Sequence, residues 1–366
     1  MISVPHHSEP RPARRTARLT LIAWANALLA MLAAGCEPGM RFNVDPAVPD
    51  PRGLELRAQQ YLLNETGDEA SLYRMNAIEA LQDVAPREGA ARIRTRHGDA
   101  VAPVRFAALM ATGVIRDSAA LPAVRQRMSD ANPNVRVATL FALHRLGDTR
   151  RSVELAGLMI NHASDEVRAN AALAIGLLGD PKAVGVLKKA SGDRAEMVRL
   201  QATESMAMLG DKKAIRELVF AGNGGVGPKM VRAIMALGTA RAEVARELFA
   251  YRLKEGPYDE VRLAAARGLG RLGDRRGLDL ALRLLGFVAS GAATETDPLP
   301  QQQMRMRVLA CAALEAIGDA HALAKLMTAL DDPTEDPAVR IAAARAIVAI
   351  RRGIGRPNDG GFWGRR

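Results

Sequence analysis

Apolar and polar positions follow a helical period along most of this chain, and the clearest instance runs from Asp165 to Ala190. From Val167 to Leu178 small and aliphatic residues recur three and four apart, which puts Ala171, Ala174, Ile175 and Leu178 on one helical face. Gly179 predicts the stop, because a helix C-terminus favours a left-handed residue. Asp180 predicts an N-cap and Pro181 the first position of a second helix, which carries Val184, Val186 and Leu187. Two such short helices cannot bury their apolar faces alone, so the hairpin requires neighbours.

The same pattern supplies them. Arg74, Arg105, Arg136, Arg168 and Arg199 are 31, 31, 32 and 31 residues apart, and Arg262, Arg307 and Arg340 continue the series. Six residues beyond them stand Ala80, Ala111, Ala142, Ala174, Ser205, Gly268, Ala313 and Ala346, all small. Ten beyond are Val84, Ile115, Leu146, Leu178, Leu209, Leu272, Ile317 and Ile350, all aliphatic. A further unit lies at Val226 to Gly238, where Gly227 replaces the arginine. No segment shows sustained period-2 alternation, so the expectation is an all-α array of about nine helical hairpins.

Val-Arg, then Ala, then Ala-Leu or Ala-Ile, then Leu-Gly-Asp resembles HEAT repeats, specifically the class found in phycobilisome lyases, over roughly residues 66–351. The resemblance implies an α-solenoid, a right-handed superhelix with the Val-Arg helices on the convex side and the second helices on the concave side. It also implies that the recurring arginine pairs with an acidic neighbour, here Asp165 for Arg168, Asp259 for Arg262 and Asp336 for Arg340. The family includes scaffolds, binding proteins and a few enzymes, so it does not by itself name an activity.

The ends of the chain read differently. Arg11, Arg14, Arg15 and Arg18 precede an uncharged run from Leu19 to Gly35, the pattern of a secretory leader. Leu32-Ala33-Ala34-Gly35-Cys36 resembles the lipobox of bacterial lipoproteins, which implies cleavage before Cys36 and lipid on its thiol, and Glu37 implies sorting to the outer membrane, facing the periplasm. Residues 1–35 are therefore read as a signal peptide, and 36–53, rich in proline, as a tether. The array is placed at 54–351, with Leu54 to Leu63 as a cap on its open end and a loop insertion at 286–303. A basic tail over 352–366 carries Phe362 and Trp363, an aromatic pair suited to a membrane interface or a partner groove.

Of the formal charge of +11, the leader holds four arginines and one glutamate, leaving +8 for the rest. Part of that charge sits at the starts of second helices: Arg150, Arg151, Lys182, Lys212, Lys213, Arg275 and Arg276. In register they form a basic ridge on one edge, a candidate docking strip for an acidic protein or for anionic headgroups. The bland alternative is a solvated edge paired locally with aspartates.

Enzymatic signals are sparse. His97, His144, His162 and His321 are scattered one per repeat, with no ligand pair at metal-binding spacing and no phosphate-binding glycine loop. No metal and no cofactor is expected. His144 stands where sister repeats have Gly176 or Gly270, and reads as an interhelix or edge residue. Cys311, in an Ala-Leu run, reads as a buried small hydrophobe. Aromatics are 4% of the chain, too few to stack on bases, which disfavours nucleic acid. The expected function is a non-catalytic protein-interaction scaffold anchored in the cell envelope. A lyase-like or cofactor-handling enzyme and an anionic membrane-surface binder are the alternatives.

Overall fold

The computed structural model describes residue 48 and residues 50–224, 227–291 and 293–354. Cys36, Phe362 and Trp363 lie outside these, as do the signal peptide and most of the tether and tail. Among the described residues there are eighteen α-helices, and no helix is long and apolar enough to cross a membrane.

Nine helices follow the Val-Arg register: α2 (Ser71–Val84), α4 (Ala102–Ile115), α6 (Pro133–Arg145), α8 (Asp165–Leu178), α10 (Glu196–Met208), α12 (Pro228–Thr239), α14 (Asp259–Arg271), α16 (Leu299–Ile317) and α18 (Pro337–Arg352). The other nine are α1 (Pro51–Glu65), α3 (Pro86–Thr95), α5 (Leu121–Gln126), α7 (Val153–Asn161), α9 (Val184–Ala190), α11 (Lys212–Gly224), α13 (Arg246–Glu255), α15 (Leu278–Leu285) and α17 (Leu323–Asp331). The turn chemistry is as the sequence predicts. Asp180 accepts from the Lys182 N–H at 2.9 Å, and Gly147, Gly179, Gly210, Gly273 and Gly318 all have positive φ at the register position eleven beyond the arginine. Arg116 takes that left-handed position in α4, at φ 55°.

The Val-Arg helices line the inner side, which corrects the expected convex placement. Each packs on the next along its length, whereas the second helices barely touch one another and so spread over the longer, outer circumference. Small residues make the inner approach possible. A Cβ on Gly176 would meet Ser205 at 2.6 Å, and one on Gly270 would meet the Ala316 backbone at 2.7 Å.

The array has no open end. The inner side of α18 packs on α2, and its outer side packs on α1 as every other Val-Arg helix packs on a second helix. Leu54, Ala58 and Leu62 of α1 are fully buried, in one apolar cluster with Ile78, Leu81, Ile347 and Ile350. The ninth hairpin is thus assembled from the two ends of the solenoid, and α1 completes it rather than capping it. Arg352 staples the joint: Nε donates to Glu55 at 2.8 Å, Nη1 to the Val84 carbonyl at 3.0 Å, and Nη2 to Gln59 at 3.0 Å and Glu88 at 2.8 Å. Arg340 stacks 4.7 Å over the Tyr61 ring in the same seam.

Two further expectations change. The recurring arginine pairs forward rather than back: Arg168 binds both oxygens of Asp193, 25 residues on, at 2.7 and 2.9 Å, and donates to the carbonyls of His162 and Ala163. Arg105 does the same with Asp130, and Arg340 reaches the Leu330 carbonyl rather than Asp336; Arg262 keeps its expected pair with Asp259 at 2.9 Å. The inserted segment is also shorter than expected. Among the described residues after α15 it carries one isolated bridge, Thr294 with Asp297, and Leu299 then opens α16 with Pro300 in its first turn, so residues 299–303 are helical.

Candidate functional site

Two surfaces carry the charged side chains that the fold does not consume in the repeat staples. The first is the edge formed by the turns that lead into the second helices. Arg150, Arg151, Lys182, Lys212, Lys213, Arg275 and Arg276 occupy equivalent places there and are all exposed. Most of them have local partners. Arg150 binds Asp148 at 2.8 Å, as does Arg125 at 3.0 Å, and these hydrogen bonds hold the Asp148 carboxyl far below the ordinary range. Arg151 pairs with Glu154, Lys213 with Glu217 at 3.8 Å, Arg275 with Asp319 at 3.0 Å and Arg276 with Asp274 at 2.7 Å. Lys182 and Lys212 have no carboxylate within ion-pair distance among the described residues. Exposed pairs of this kind contribute little stability and exchange partners readily.

The second surface is the inner wall, which sequence reasoning did not single out. Glu79 and Asp83 of α2, Arg345 of α18, Glu315 of α16, and Arg271 and Arg267 of α14 succeed one another around it. Arg345 binds Glu315 at 2.8 Å and Asp83 at 2.9 Å, and Arg271 binds Glu315 at 3.3 Å. Glu315 is nearly buried. Burial alone would raise its carboxyl, but Arg345 and Arg271 outweigh burial and hold it below the ordinary value. Asp83 has the opposite balance: protein crowding raises its carboxyl in spite of Arg345, although 37% of the side chain meets solvent. Water-accessible groups that are nonetheless desolvated mark a concave wall.

Farther round, Arg232 of α12 clamps Glu204 of α10, with Nη2 at 3.1 Å from the second oxygen. A cavity of about 280 Å³ opens beside this pair, lined by Leu173, Gln201, Glu204, Met208, Arg232, Met235, Ala236 and Thr239. A larger one of about 800 Å³ shares Arg232 and extends past Val231, Tyr258 and Glu260 to Arg305 and Leu309 of α16. Arg305 is tied there to Asp297 at 2.9 Å and Glu260 at 3.5 Å.

The isolated titratable residues are structural. His97 is buried, with Nε2 2.8 Å from the Thr112 hydroxyl, and burial together with Arg127 pushes it down to about 4. His144 sits between a helix and the following turn, Nδ1 2.6 Å from Ser152 Oγ. Cys311 is fully buried, and burial pushes its thiol up, so it stays protonated at neutral pH. Among the described residues no group of three or more His, Cys, Asp or Glu is arranged to hold a metal ion.

The architecture defines a repeat protein of the α-solenoid class, in which near-equivalent hairpins share one continuous core. Within that class, residues 152–222 match the HEAT repeats family and residues 261–280 match the PBS lyase HEAT-like repeat. No curated protein matches the chain. Among solved structures, the complex of CpcE and CpcF of phycocyanin lyase from Nostoc is similar at 16% identity and a TM-score of 0.40, over 62% of this chain and 91% of that one. Human deoxyhypusine hydroxylase is similar at 19% identity and a TM-score of 0.33, over 82% of this chain and 98% of that one. Kap121p is similar at 14% identity and a TM-score of 0.30, over 79% of this chain and 37% of that one.

Proposed function

We propose that this chain is a non-catalytic interaction scaffold of the bacterial cell envelope, held at the outer membrane by lipid on Cys36 and binding a protein partner along its solenoid surface. The observation that carries the reading is the edge itself. Seven cations from four equivalent turns stand in fixed register on a solenoid whose ends are locked together, so an extended acidic partner would meet them without ordering the scaffold first. Lys182 and Lys212 are the cations left for such a partner, and the paired arginines can exchange an aspartate for a partner carboxylate at small cost.

The test is a crosslinking pull-down from intact envelopes with wild type and with Lys182, Lys212, Lys213 and Arg276 changed to glutamate. Capture of a defined acidic protein by the wild type, lost in a variant that keeps its helical circular dichroism and Tm, is the expected result. Identical capture by both would remove the edge as a site, and no capture by either would remove the scaffold reading. Mass spectrometry of the mature N-terminus tests the anchor separately: an unmodified Cys36, or an uncleaved leader, refutes it.

A further inference from the structure

The chain enters and leaves the solenoid on one rim. Arg352, the last residue of α18, bonds Glu55 near the start of α1, the Val84 carbonyl at the end of α2 and Glu88 in the first turn of α3. The start of α1, the end of α18 and the turn from α2 into α3 therefore lie side by side. This is the rim on which each Val-Arg helix gives way to its second helix, and neighbouring repeats are joined along it. Arg145 at the end of α6 donates to the Gly113 carbonyl near the end of α4 at 3.3 Å, and Arg275 binds Asp319 of the next turn at 3.0 Å.

Two exposed arginines stand on this rim beside the chain ends. Arg87 is in the first turn of α3, next to the Glu88 that Arg352 holds, and Arg116 follows α4 in the next turn. Neither has a carboxylate within ion-pair distance among the described residues. Arg116 also holds the left-handed position that Gly147, Gly179, Gly210, Gly273 and Gly318 occupy in sister turns, at a backbone cost that glycine avoids. The opposite rim of the same repeats differs. There Arg74 and Arg105 are spent on Asp99 and Asp130, and the exposed Glu69 has no cation within ion-pair distance among the described residues. Beside the chain ends, unspent charge is thus positive on one rim and, at Glu69, negative on the other.

We infer that the arc of the rim around Arg87 and Arg116 docks on an anionic phospholipid surface. The inference rests on the Cys36 anchor proposed above. Residues 36–50 span at most about 50 Å when fully extended, so lipid on Cys36 keeps this rim close to the bilayer. A guanidinium fork suits phosphate oxygens, and cations near an anionic leaflet are drawn to it. Glu69 is repelled by the same surface and turns the other rim outward. None of the seven edge cations assigned to the protein partner is used. They lie farther round the same rim, so that partner meets the edge at the membrane surface.

The test is contact quenching on the full-length lipidated protein. With lipid on Cys36 and Cys311 buried, a thiol dye goes to Ser118→Cys on this rim or to Glu69→Cys on the other. The 14 residues of α4 set the rims about 20 Å apart, enough for a headgroup-attached nitroxide to tell them apart. Vesicles are phosphatidylcholine alone or mixed with phosphatidylglycerol. Quenching at Ser118 and not at Glu69 is expected, only with phosphatidylglycerol, and lost in high salt. Changing Arg87 and Arg116 to Gln should lower the docked-to-undocked ratio about fivefold each. Equal quenching on both rims, stronger quenching at Glu69, or quenching at Ser118 that ignores phosphatidylglycerol would overturn the proposal. Should the variant not fold, the lipid and salt comparisons decide on the wild-type arginines. Mass spectrometry of the same sample shows whether Cys36 carries lipid. A missing anchor, which removes both readings, is thereby told apart from an anchored protein indifferent to lipid charge, which removes this one alone.

Discussion

Replacing Arg352 with methionine tests the closure of the solenoid at a single atom cluster. The guanidinium donates to Glu55, Gln59, Glu88 and the Val84 carbonyl, partners up to 297 residues away in sequence. Methionine keeps most of the stem and removes every donor. Hydrogen bonds to charged groups contribute about 1.5–3 kcal/mol each when well shielded. Here 27% of the arginine and 35% of Glu88 are open to water, which screens the pairs and leaves about 2–3 kcal/mol in all. With about 2.1 cal/mol/K per residue over the roughly 300 residues from Pro51 to Ile354, the Tm should fall by about 4 °C. Urea titration followed by circular dichroism measures the loss. A double-mutant cycle with Glu55→Gln should return a coupling of about 1 kcal/mol between residues at opposite ends of the solenoid. Hydrogen exchange should show α1 and α18 opening together, ahead of α8 and α10. A variant as stable as wild type, a coupling of zero, or independent exchange of the two helices would refute the closed arrangement.

Other expectations follow from single side chains. Arg116→Gly should stabilise the protein by about 1 kcal/mol in urea titration, since glycine takes the left-handed conformation at φ 55° without strain. Gly176→Val should cost about 3 kcal/mol by the same assay, because its Cβ would lie 2.6 Å from Ser205 and force α8 from α10. His97 is neutral in the fold and protonates more readily when unfolded, so it contributes stability above pH 6.5 that disappears as pH falls toward about 4. That contribution is up to about 3 kcal/mol, and urea midpoints from pH 7 to pH 4.5 should fall less steeply in His97→Asn. Cys311 should resist thiol reagents in native protein and react stoichiometrically in denaturant, as its burial demands.

Much of the architecture was legible because its determinants are local. Small residues at the sixth position, aliphatics at the tenth and a Gly-Asp turn specify a hairpin without reference to any other hairpin, and repetition specifies the stack. What depends on neighbours was less accessible. Asp165 is near Arg168 in sequence, but the arginine leaves its helix start toward the next repeat, where Asp193 waits. The inversion of inner and outer helices arose from assigning sides by resemblance. The small residues themselves point to the tighter circumference. The closure did leave a trace: α1 is a second-type helix with no partner before it, and α18 is a Val-Arg helix with no partner after it. The inner-wall cavity left none, since Leu173, Gln201, Arg232 and Thr239 lie on three helices with no mutual spacing.

The shared ninth hairpin also sets an order of assembly during synthesis. The α1 helix is among the first parts of the solenoid to leave the ribosome, and α18 is the last. Until α18 arrives, Leu54, Ala58 and Leu62 have no outer face to cover, and the inner wall cannot close. Intermediate hairpins can nucleate and stack locally in any order, but the final step must bring together segments nearly a whole solenoid apart and bears the loop-closure entropy of that span. A nascent or translocating chain therefore stays an unlatched arc with an adhesive helix at its leading end until α18 has emerged.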